Sequence, residues 1–269
     1  MTNPMPEPAP EDPIQSLRAE IDAVDDALLA LASRRMGFAP QLAALKGQVA
    51  GVAAMRPARE VQIMRRLIAQ APPEINPELI IDLWRSLMSA SLRAQTEIEV
   101  VMAGATDMLR LSDVVRRYFG FAVKLSVVND TRGALAKAAE SDRVIAAVPW
   151  PGNNGPGMWW PCLTENRYHG LTVLAALPLR GEPEAALLGR GVRFEAGGGD
   201  DTIAIAFDPH HKLTRALNLA GLSGRELGRA QEKLLFLLDG YVPPDDPRLV
   251  AAMRAGLDNL RVIGCFSRV

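Results

Sequence analysis

The stretch that decides the fold of the first third of the chain is residues 17–36, LRAEIDAVDDALLALASRRM. Asp12 and Pro13 precede it, and both residue types are typical of a helix N-terminus. The pattern predicts one long helix from there to about Gly47. Its apolar stripe repeats at spacings of three and four residues: Ile14, Leu17, Ile21, Val24, Leu28, Leu31, Phe38, Leu42 and Leu45.

The length of this predicted helix points to a second chain. At 1.5 Å per residue it would extend about 50 Å, which is more than a compact three-helix unit can cover. We therefore expect a partner chain along it. Gly37 and Pro40 interrupt the stripe. Pro40 is expected to kink the helix near Met36, because its ring clashes with the preceding turn.

Two shorter helices are predicted next, one from Pro57 to Gln70 and one from the Asn76-Pro77 cap to about Glu97. No strand-like pattern occurs before residue 98. We therefore assign residues 14–97 to an all-α unit of three helices, and the Pro-rich residues 1–13 to a disordered tail.

The pattern changes after residue 98. Strand-like runs such as EVVMAG, AVKLSVVND and RVIAAVPWP alternate with short helical runs. This alternation predicts an α/β unit with parallel strands over residues 98–196. Gly197–Gly199 is interpreted as a hinge, and a small α+β unit is predicted over residues 200–269. Its elements are Thr202–Phe207, Lys233–Asp239 and Arg261–Phe266 as strands, with Lys212–Leu219 and Pro247–Asp258 as helices.

Composition excludes several classes of protein. The 269 residues include 30 Lys and Arg against 31 Asp and Glu, so the basic excess of a typical nucleic-acid binder is missing. Two cysteines, Cys162 and Cys265, are too few for a disulfide framework or a four-cysteine zinc site. The sequence has no run of 18 apolar residues, and its acidic, Pro-rich start is not expected to act as a signal peptide. We expect a cytoplasmic protein without a nucleic-acid or membrane partner.

Cations on the first helix form the most informative pattern. Arg35 follows Leu28 by seven residues, and Lys46 falls within about 20° of the same helix face. Inward-facing cations are costly unless an anion meets them, although long basic side chains can also extend along apolar surface to water. Arg18 lies about 25 Å from Arg35 along the axis, so an antiparallel partner would have to deliver it to a shared ligand.

Neutral polar residues end the apolar stripe of the third helix. Ser91 and Gln95 follow Trp84 and Leu87 at helical spacing and place a hydroxyl and an amide on one face. Arg59 and Glu60 open the second helix and are less diagnostic. We interpret the histidines as surface or loop residues far from the helical unit: His169, His210 and His211.

These residues together resemble the all-helical chorismate mutases. The likeness covers residues 14–97 and rests on four runs in order: LRAEIDAVDDALLALASRRM, LAALKG, RPAREVQIMRRL and LMSASLRAQ. It implies an intertwined homodimer, in which each site receives one arginine from the partner. It also implies a function in aromatic amino-acid biosynthesis, with chorismate as substrate and prephenate as product.

The resemblance implies roles for the cations and the amide. Arg35 and the partner's Arg18 would clamp the two substrate carboxylates. Lys46 would contact the ether oxygen and a carboxylate, and Gln95 would donate to the other side of that oxygen. Arg35, Lys46 and Gln95 are therefore the implied catalytic residues.

Two further residues and one departure complete the implied site. Glu60 resembles the acid that orients the ring hydroxyl, and Ser91 would be a minor polar contact. Ile63 stands where many family members have another arginine. Related isochorismate-pyruvate lyases are also apolar there, so cleavage of isochorismate remains an alternative activity.

The implied reaction suits this set of residues. Chorismate rearranges by a concerted pericyclic shift, so a nucleophile, metal or general base is not required and no cofactor is expected. The protein must hold the folded conformer and stabilise negative charge on the ether oxygen. Bidentate arginines and preorganised donors do this.

Residues 98–195 resemble a shortened prephenate dehydratase. The runs VMAGATDMLRLSDVVRRYFG and SDRVIAAVPWPGNNG are similar to its strand-turn-helix opening and its pocket turn. Residues 192–194, VRF, stand where the family has Thr-Arg-Phe, so Val192 replaces the threonine. This region is about half the usual length, so we do not expect dehydratase activity, and a bifunctional mutase and dehydratase remains an alternative.

Residues 200–269 resemble a divergent ACT module, the small amino-acid-sensing domain. The likeness rests on DDTIAIAFDPHHKLTRAL, EKLLFLLDGY and DNLRVIGCF. The Gly and the Glu-Ser-Arg-Pro signature of phenylalanine binding are missing. We therefore expect a structural or dimerising role, with a non-catalytic amino-acid sensor as the alternative.

Overall fold

The computed structural model of the chain describes residues 13–45, 54–192, 194–198 and 200–269. The predicted tail, apart from Pro13, lies outside these residues. Lys46, Arg193 and Gly199 also lie outside them. The predicted order, a helical unit followed by a mixed α/β region, is confirmed.

The three helices of the first unit are α1 (Pro13–Leu45), α2 (Pro57–Gln70) and α3 (Pro77–Gln95). The structure confirms all three, and α2 has the predicted bounds. At the start of α3 the Asn76 side chain accepts a hydrogen bond of 2.9 Å from the Glu78 amide. Pro40 lies inside α1, which continues through it as helix; the expected kink stays a prediction.

The next region places three parallel strands between helices. Strands β1 and β3 pair in parallel, and β1 pairs in the same way with β2. This arrangement confirms the predicted parallel layer. Strand β5 then pairs antiparallel with both β3 and β4. The elements are β1 (Glu99–Met102), α4 (Met108–Phe119), β2 (Lys124–Val127), α5 (Thr131–Glu140), β3 (Val144–Pro149), β4 (Leu171–Leu177) and β5 (Ala185–Arg190).

The last region has the β-α-β-β-α-β order of a ferredoxin-like unit. Its four strands lie in the order β9-β6-β8-β7 and all pair antiparallel. Helices α6 and α7 pack with these strands around a separate apolar cluster. The elements are β6 (Asp200–Phe207), α6 (Leu213–Leu219), β7 (Gly224–Ala230), β8 (Lys233–Asp239), α7 (Pro247–Arg254) and β9 (Asp258–Ser267).

The strands of the two later regions form one nine-stranded sheet. The connection is the parallel pairing of β4 with β9, where Val173 lies opposite Gly264. Gly264 leaves no room for a side chain there, because a Cβ would lie 2.6 Å from Val173. The predicted domain division at residues 197–199 stays a prediction, and the structure adds that the sheet is continuous across it.

Helices α2 and α3 bury their apolar faces against this sheet. Val61, Met64 and Met88 share one core cluster with Val100 of β1 and Leu174 of β4. Helix α1 packs against α3 but leaves its apolar stripe open. The exposed fractions along the stripe lie between 48% at Phe38 and 85% at Leu45. Within the described ranges, no helix is both long and apolar enough to cross a membrane.

Candidate active site

Arg35 lies where α1 meets α3. It is partly buried, and its Nη1 donates to the Ser91 hydroxyl at 3.3 Å. That hydroxyl donates in turn to the Met36 sulfur at 3.4 Å. Burial lowers the pKa of Arg35, and the charge of Glu60 opposes this shift in part. Within the described part of the chain, no carboxylate forms an ion pair with Arg35.

Gln95 lies one turn beyond Ser91 on the same face of α3. Its side-chain amide donates to the Ser91 carbonyl at 2.9 Å, so the amide folds back along its own helix. Both residues are partly buried. Ser91 and Gln95 share a face of α3, as their spacing predicts, Arg35 contacts Ser91, and Glu60 is close enough to affect Arg35.

Glu60 is held by two donors on other helices. Arg85 of α3 forms an ion pair with Glu60 Oε2, and the Tyr118 hydroxyl of α4 donates to the same oxygen at 3.3 Å. The side chain of Arg85 is 3% exposed and that of Glu60 is 17% exposed. Burial and the charge of Glu60 raise the pKa of Tyr118. The Tyr118 hydroxyl therefore stays protonated and remains a donor.

Arg85 and Tyr118 both contact Glu60, and the sequence pattern did not predict either of them. A signal was present, because Arg85, Ser89 and Arg93 recur every four residues on α3. That spacing places three donors on one helix face. The sequence does not show which helix packs against this face. These three residues therefore look like an ordinary polar surface in the sequence.

Arg18, another predicted cation, lies apart from this cluster in a single chain. Arg18 is exposed on α1, about 25 Å along the axis from Arg35. No described residue forms an ion pair with it. Lys46 lies outside the described residues. Arg59 is exposed and donates to Gln62 at 3.4 Å.

Ile63 is partly buried and packs against the shared apolar cluster. Its neighbour Met64 is fully buried in that cluster. The apolar character of position 63 therefore serves the packing of α2 on the sheet, whatever its effect on the reaction.

Val192 and the turn after β3, which both resemble parts of the dehydratase, lie towards opposite ends of β5. Ala185 of β5 lies opposite Pro149 of β3, and β5 then runs away from the pocket turn. Val192 therefore lies about 20 Å from that turn along the strand direction. The residue beside the turn is Glu184, whose ion pair with Arg110 measures 2.6 Å. Val192 is thus separated from the turn that follows β3.

The three histidines are exposed, in agreement with their interpretation as surface residues. Within the described ranges, no group of three or more His, Cys, Asp or Glu side chains is arranged to hold a metal ion. The chemistry available at the α1–α3 contact is a partly buried guanidinium, a hydroxyl and an amide. These groups can bind a carboxylate and donate to a neutral oxygen.

Residues 17–96 match the family model described as chorismate mutase type II. A relative from Pseudomonas aeruginosa, described as a bifunctional chorismate mutase/prephenate dehydratase, is 26% identical over 159 residues. The aligned part is 49% of this chain and 44% of that protein, so the chain spans less than half of the relative's length. The resemblance of the helical unit to the mutases is therefore confirmed.

Among solved structures, a prephenate dehydratase from Arthrobacter aurescens in complex with L-Phe aligns with a TM-score of 0.45 and 12% identity. It covers 64% of this chain and 90% of that chain. A quorum-quenching acylase, GqqA, aligns with a TM-score of 0.44 and 12% identity over 64% of this chain and 95% of that chain. These likenesses are too weak to carry an argument about activity.

Proposed function

We propose that the chain is a chorismate mutase, which rearranges chorismate to prephenate in aromatic amino-acid biosynthesis in the cytoplasm. One observation carries the proposal. Arg35 is a partly buried cation that donates to Ser91, without a carboxylate partner in the described chain, inside a segment that matches the mutase family. A substrate carboxylate would supply the missing charge.

The proposed site is completed by a second copy of the chain. An exposed apolar stripe along most of α1 is a surface that a partner would cover. An antiparallel partner helix would also bring its Arg18 towards Arg35, which the helix in one chain cannot do. We propose a homodimer in which two α1 helices pack together and each site contains the partner's Arg18.

In this site the residues act by positioning and by charge. Arg35 and the partner's Arg18 hold the two carboxylates, so the substrate stays in the conformer that reacts. Lys46 and the Gln95 amide stabilise the negative charge that grows on the ether oxygen. Glu60 orients the ring hydroxyl, and Ser91 supports Arg35. The reaction on the substrate itself needs no group from the protein to form a bond.

The decisive experiment follows the ultraviolet absorbance of chorismate with the full chain. Wild type should consume chorismate and release prephenate, and Gln95→Ala should lower kcat/KM by roughly one hundredfold or more. Arg59→Ala is the matched control, because Arg59 is exposed on the same helical unit and is expected to leave the rate unchanged. A wild-type rate equal to that of buffer would refute the proposal.

Isochorismate distinguishes the lyase alternative, which Ile63 suggests. Release of pyruvate from isochorismate, without turnover of chorismate, would favour the lyase. We expect the reverse, because Ile63 is explained by its packing against the core.

A bifunctional mutase and dehydratase is the second candidate, favoured by the description of the relative from Pseudomonas aeruginosa. A cavity of about 310 Å³ lies beside the pocket turn and is lined by Asp107, Arg110, Trp150 and Glu184 among others. Because Val192 replaces the threonine of the family's Thr-Arg-Phe run, we expect prephenate to accumulate. Formation of phenylpyruvate would establish the second activity.

For residues 200–269 we propose a structural role as an ACT-like unit. The ferredoxin-like topology and the shared sheet support it, since β9 connects this unit to β4. Calorimetry with phenylalanine and tyrosine tests the amino-acid sensor alternative. Binding of either amino acid would favour a regulatory role.

A further inference from the structure

A network of buried polar groups connects the mutase helices to helix α4 of the sheet region. The Arg85 guanidinium donates twice to the Tyr118 carbonyl, from Nε at 2.9 Å and from Nη2 at 2.6 Å. It also lies over the Tyr118 ring, 3.7 Å from the ring centre. Its remaining nitrogen, Nη1, faces Glu60. Its contacts with Tyr118 therefore fix the position of Arg85 independently of the ion pair with Glu60.

The contact between α3 and α4 explains why Arg85 is held so firmly. The last carbonyls of a helix have no partner inside it and form its negative end. Three donors of α3 satisfy these carbonyls at the end of α4. Besides Arg85, the Ser89 hydroxyl donates to the Tyr118 carbonyl at 3.0 Å, and Arg93 donates to the Phe119 carbonyl at 3.1 Å.

The two donors to Glu60 leave half of its carboxylate free. Both Arg85 Nη1 and the Tyr118 hydroxyl donate to Oε2. Within the described part of the chain, Oε1 receives no hydrogen bond. An anchored carboxylate with one open oxygen is suited to accept a hydrogen bond from a hydroxyl of fixed position.

We infer that Arg85 and Tyr118 are positioning residues that hold Glu60 for the substrate hydroxyl, so the sheet region completes the mutase site. The inference rests on the proposed mutase function. Helix α4 then contributes to the mutase reaction, and this contribution does not require any dehydratase activity. The inference also assigns Tyr118, a residue outside the segment that matches the mutases, to the site.

The test is a double-mutant cycle of Tyr118→Phe and Glu60→Gln, with chorismate turnover as the readout. Tyr118→Phe removes one donor to Glu60 and keeps the ring over which Arg85 lies. We expect kcat/KM to fall about three- to tenfold in the wild-type background. In the Glu60→Gln background the same change should alter kcat/KM by less than about twofold, because the positioned group is already altered.

Ser89→Ala is the matched control, because it removes a different hydrogen bond to the same end of α4 and does not touch Glu60. It should lower the midpoint of thermal unfolding without lowering kcat/KM. Equal losses from Tyr118→Phe in both backgrounds would overturn the inference, and so would an unchanged rate in the single variant. Absence of turnover in wild type would instead overturn the proposed function, and this inference with it.

Discussion

Arg35 and Arg85 are two arginines of one helical unit in opposite situations. Arg85 is buried with the Glu60 carboxylate beside it, and three donor atoms of its side chain have partners. Arg35 is partly buried, and its described hydrogen bond goes to the neutral hydroxyl of Ser91. Burial opposes the charge of both. For Arg85, Glu60 and Tyr118 outweigh burial and raise the pKa, whereas burial lowers the pKa of Arg35.

The difference separates a structural cation from one that can take a ligand. A buried cation with its own carboxylate holds helices together, and its removal leaves that carboxylate unpaired. A partly buried cation without a carboxylate is still available to an anion. The comparison therefore predicts that mutation of Arg85 affects folding as well as the position of Glu60, whereas mutation of Arg35 mainly affects turnover.

The largest expected effect is the loss of stability in Arg85→Ala. Removal of the guanidinium leaves Glu60 and the Tyr118 carbonyl without their buried partner, which costs about 3–5 kcal/mol in free energy of unfolding. Urea denaturation measures this cost. Arg117→Ala is the matched control, because its ion pair with Asp82 is about half exposed and should contribute less than about 1 kcal/mol. Equal losses in the two variants would contradict the structural role of Arg85.

Arg35→Ala tests the other side of the comparison. We expect kcat/KM for chorismate to fall roughly one hundred- to one thousandfold, because a preorganised cation is lost from the site. The free energy of unfolding should change little, since Arg35 has no carboxylate partner within the described residues. Arg34→Ala, at the exposed neighbouring position, is the control and should keep wild-type turnover. A large loss of stability with unchanged kcat/KM would show that Arg35 is structural.

Leu28→Glu tests whether the exposed apolar stripe of α1, the helix that carries Arg35, is the contact surface of a dimer. Leu28 is 55% exposed on the α1 stripe, so a charge there should weaken the packing of two α1 helices. Sedimentation should show a shift from dimer to monomer, with loss of turnover because the partner's Arg18 is no longer supplied. Leu109→Glu is the control on α4, where the leucine is 85% exposed. If both variants sediment as wild type, α1 is not the dimer surface.

The sequence predicted the site best where one helix carries the signal. The spacing of Ser91 and Gln95, and the place of Arg35 on an apolar stripe, are local properties of α1 and α3. Arg85 and Tyr118 were missed because their partnership joins residues that are 33 positions apart on different helices. Only the packing of α3 against α4 creates this contact. The residue pattern of either helix alone does not predict it.

The β-sheet was also predicted incompletely, because contacts between elements that are distant in the sequence decide its strands. Strand β5 is AALLGR, which lacks β-branched residues. Strand β7 is GRELGRA, whose first three residues are exposed, and a bulge interrupts it between Glu226 and Gly228. Neither was predicted, because pairing with β3, β4 and β8 decides their conformation against local propensity. The nine-stranded sheet across residues 197–199 was missed for the same reason.

The smallest expected effect concerns Asp208, which forms an ion pair with Arg229 of the same chain. Asp208 is fully buried, accepts a hydrogen bond of 2.7 Å from the Lys212 amide and lies 2.9 Å from Arg229 in an ion pair. Burial opposes its ionisation, but these partners outweigh burial and lower the pKa of Asp208. The comparison assigns this pair, which lies outside the proposed site, to stability.

A carboxyl whose pKa is lowered by folding stabilises the protein above the unfolded pKa, about 4 for aspartate. That contribution is lost as the pH falls through the lower folded pKa. Asp208→Asn should therefore cost about 1–3 kcal/mol of unfolding free energy at neutral pH, and less at pH values below about 4. Thermal unfolding from pH 3 to pH 7 measures the convergence of variant and wild type. Since Asp208 lies outside the proposed site, kcat/KM at neutral pH should be unchanged. A fall in kcat/KM at full stability would show that the Asp208–Arg229 pair does more than stabilise the fold.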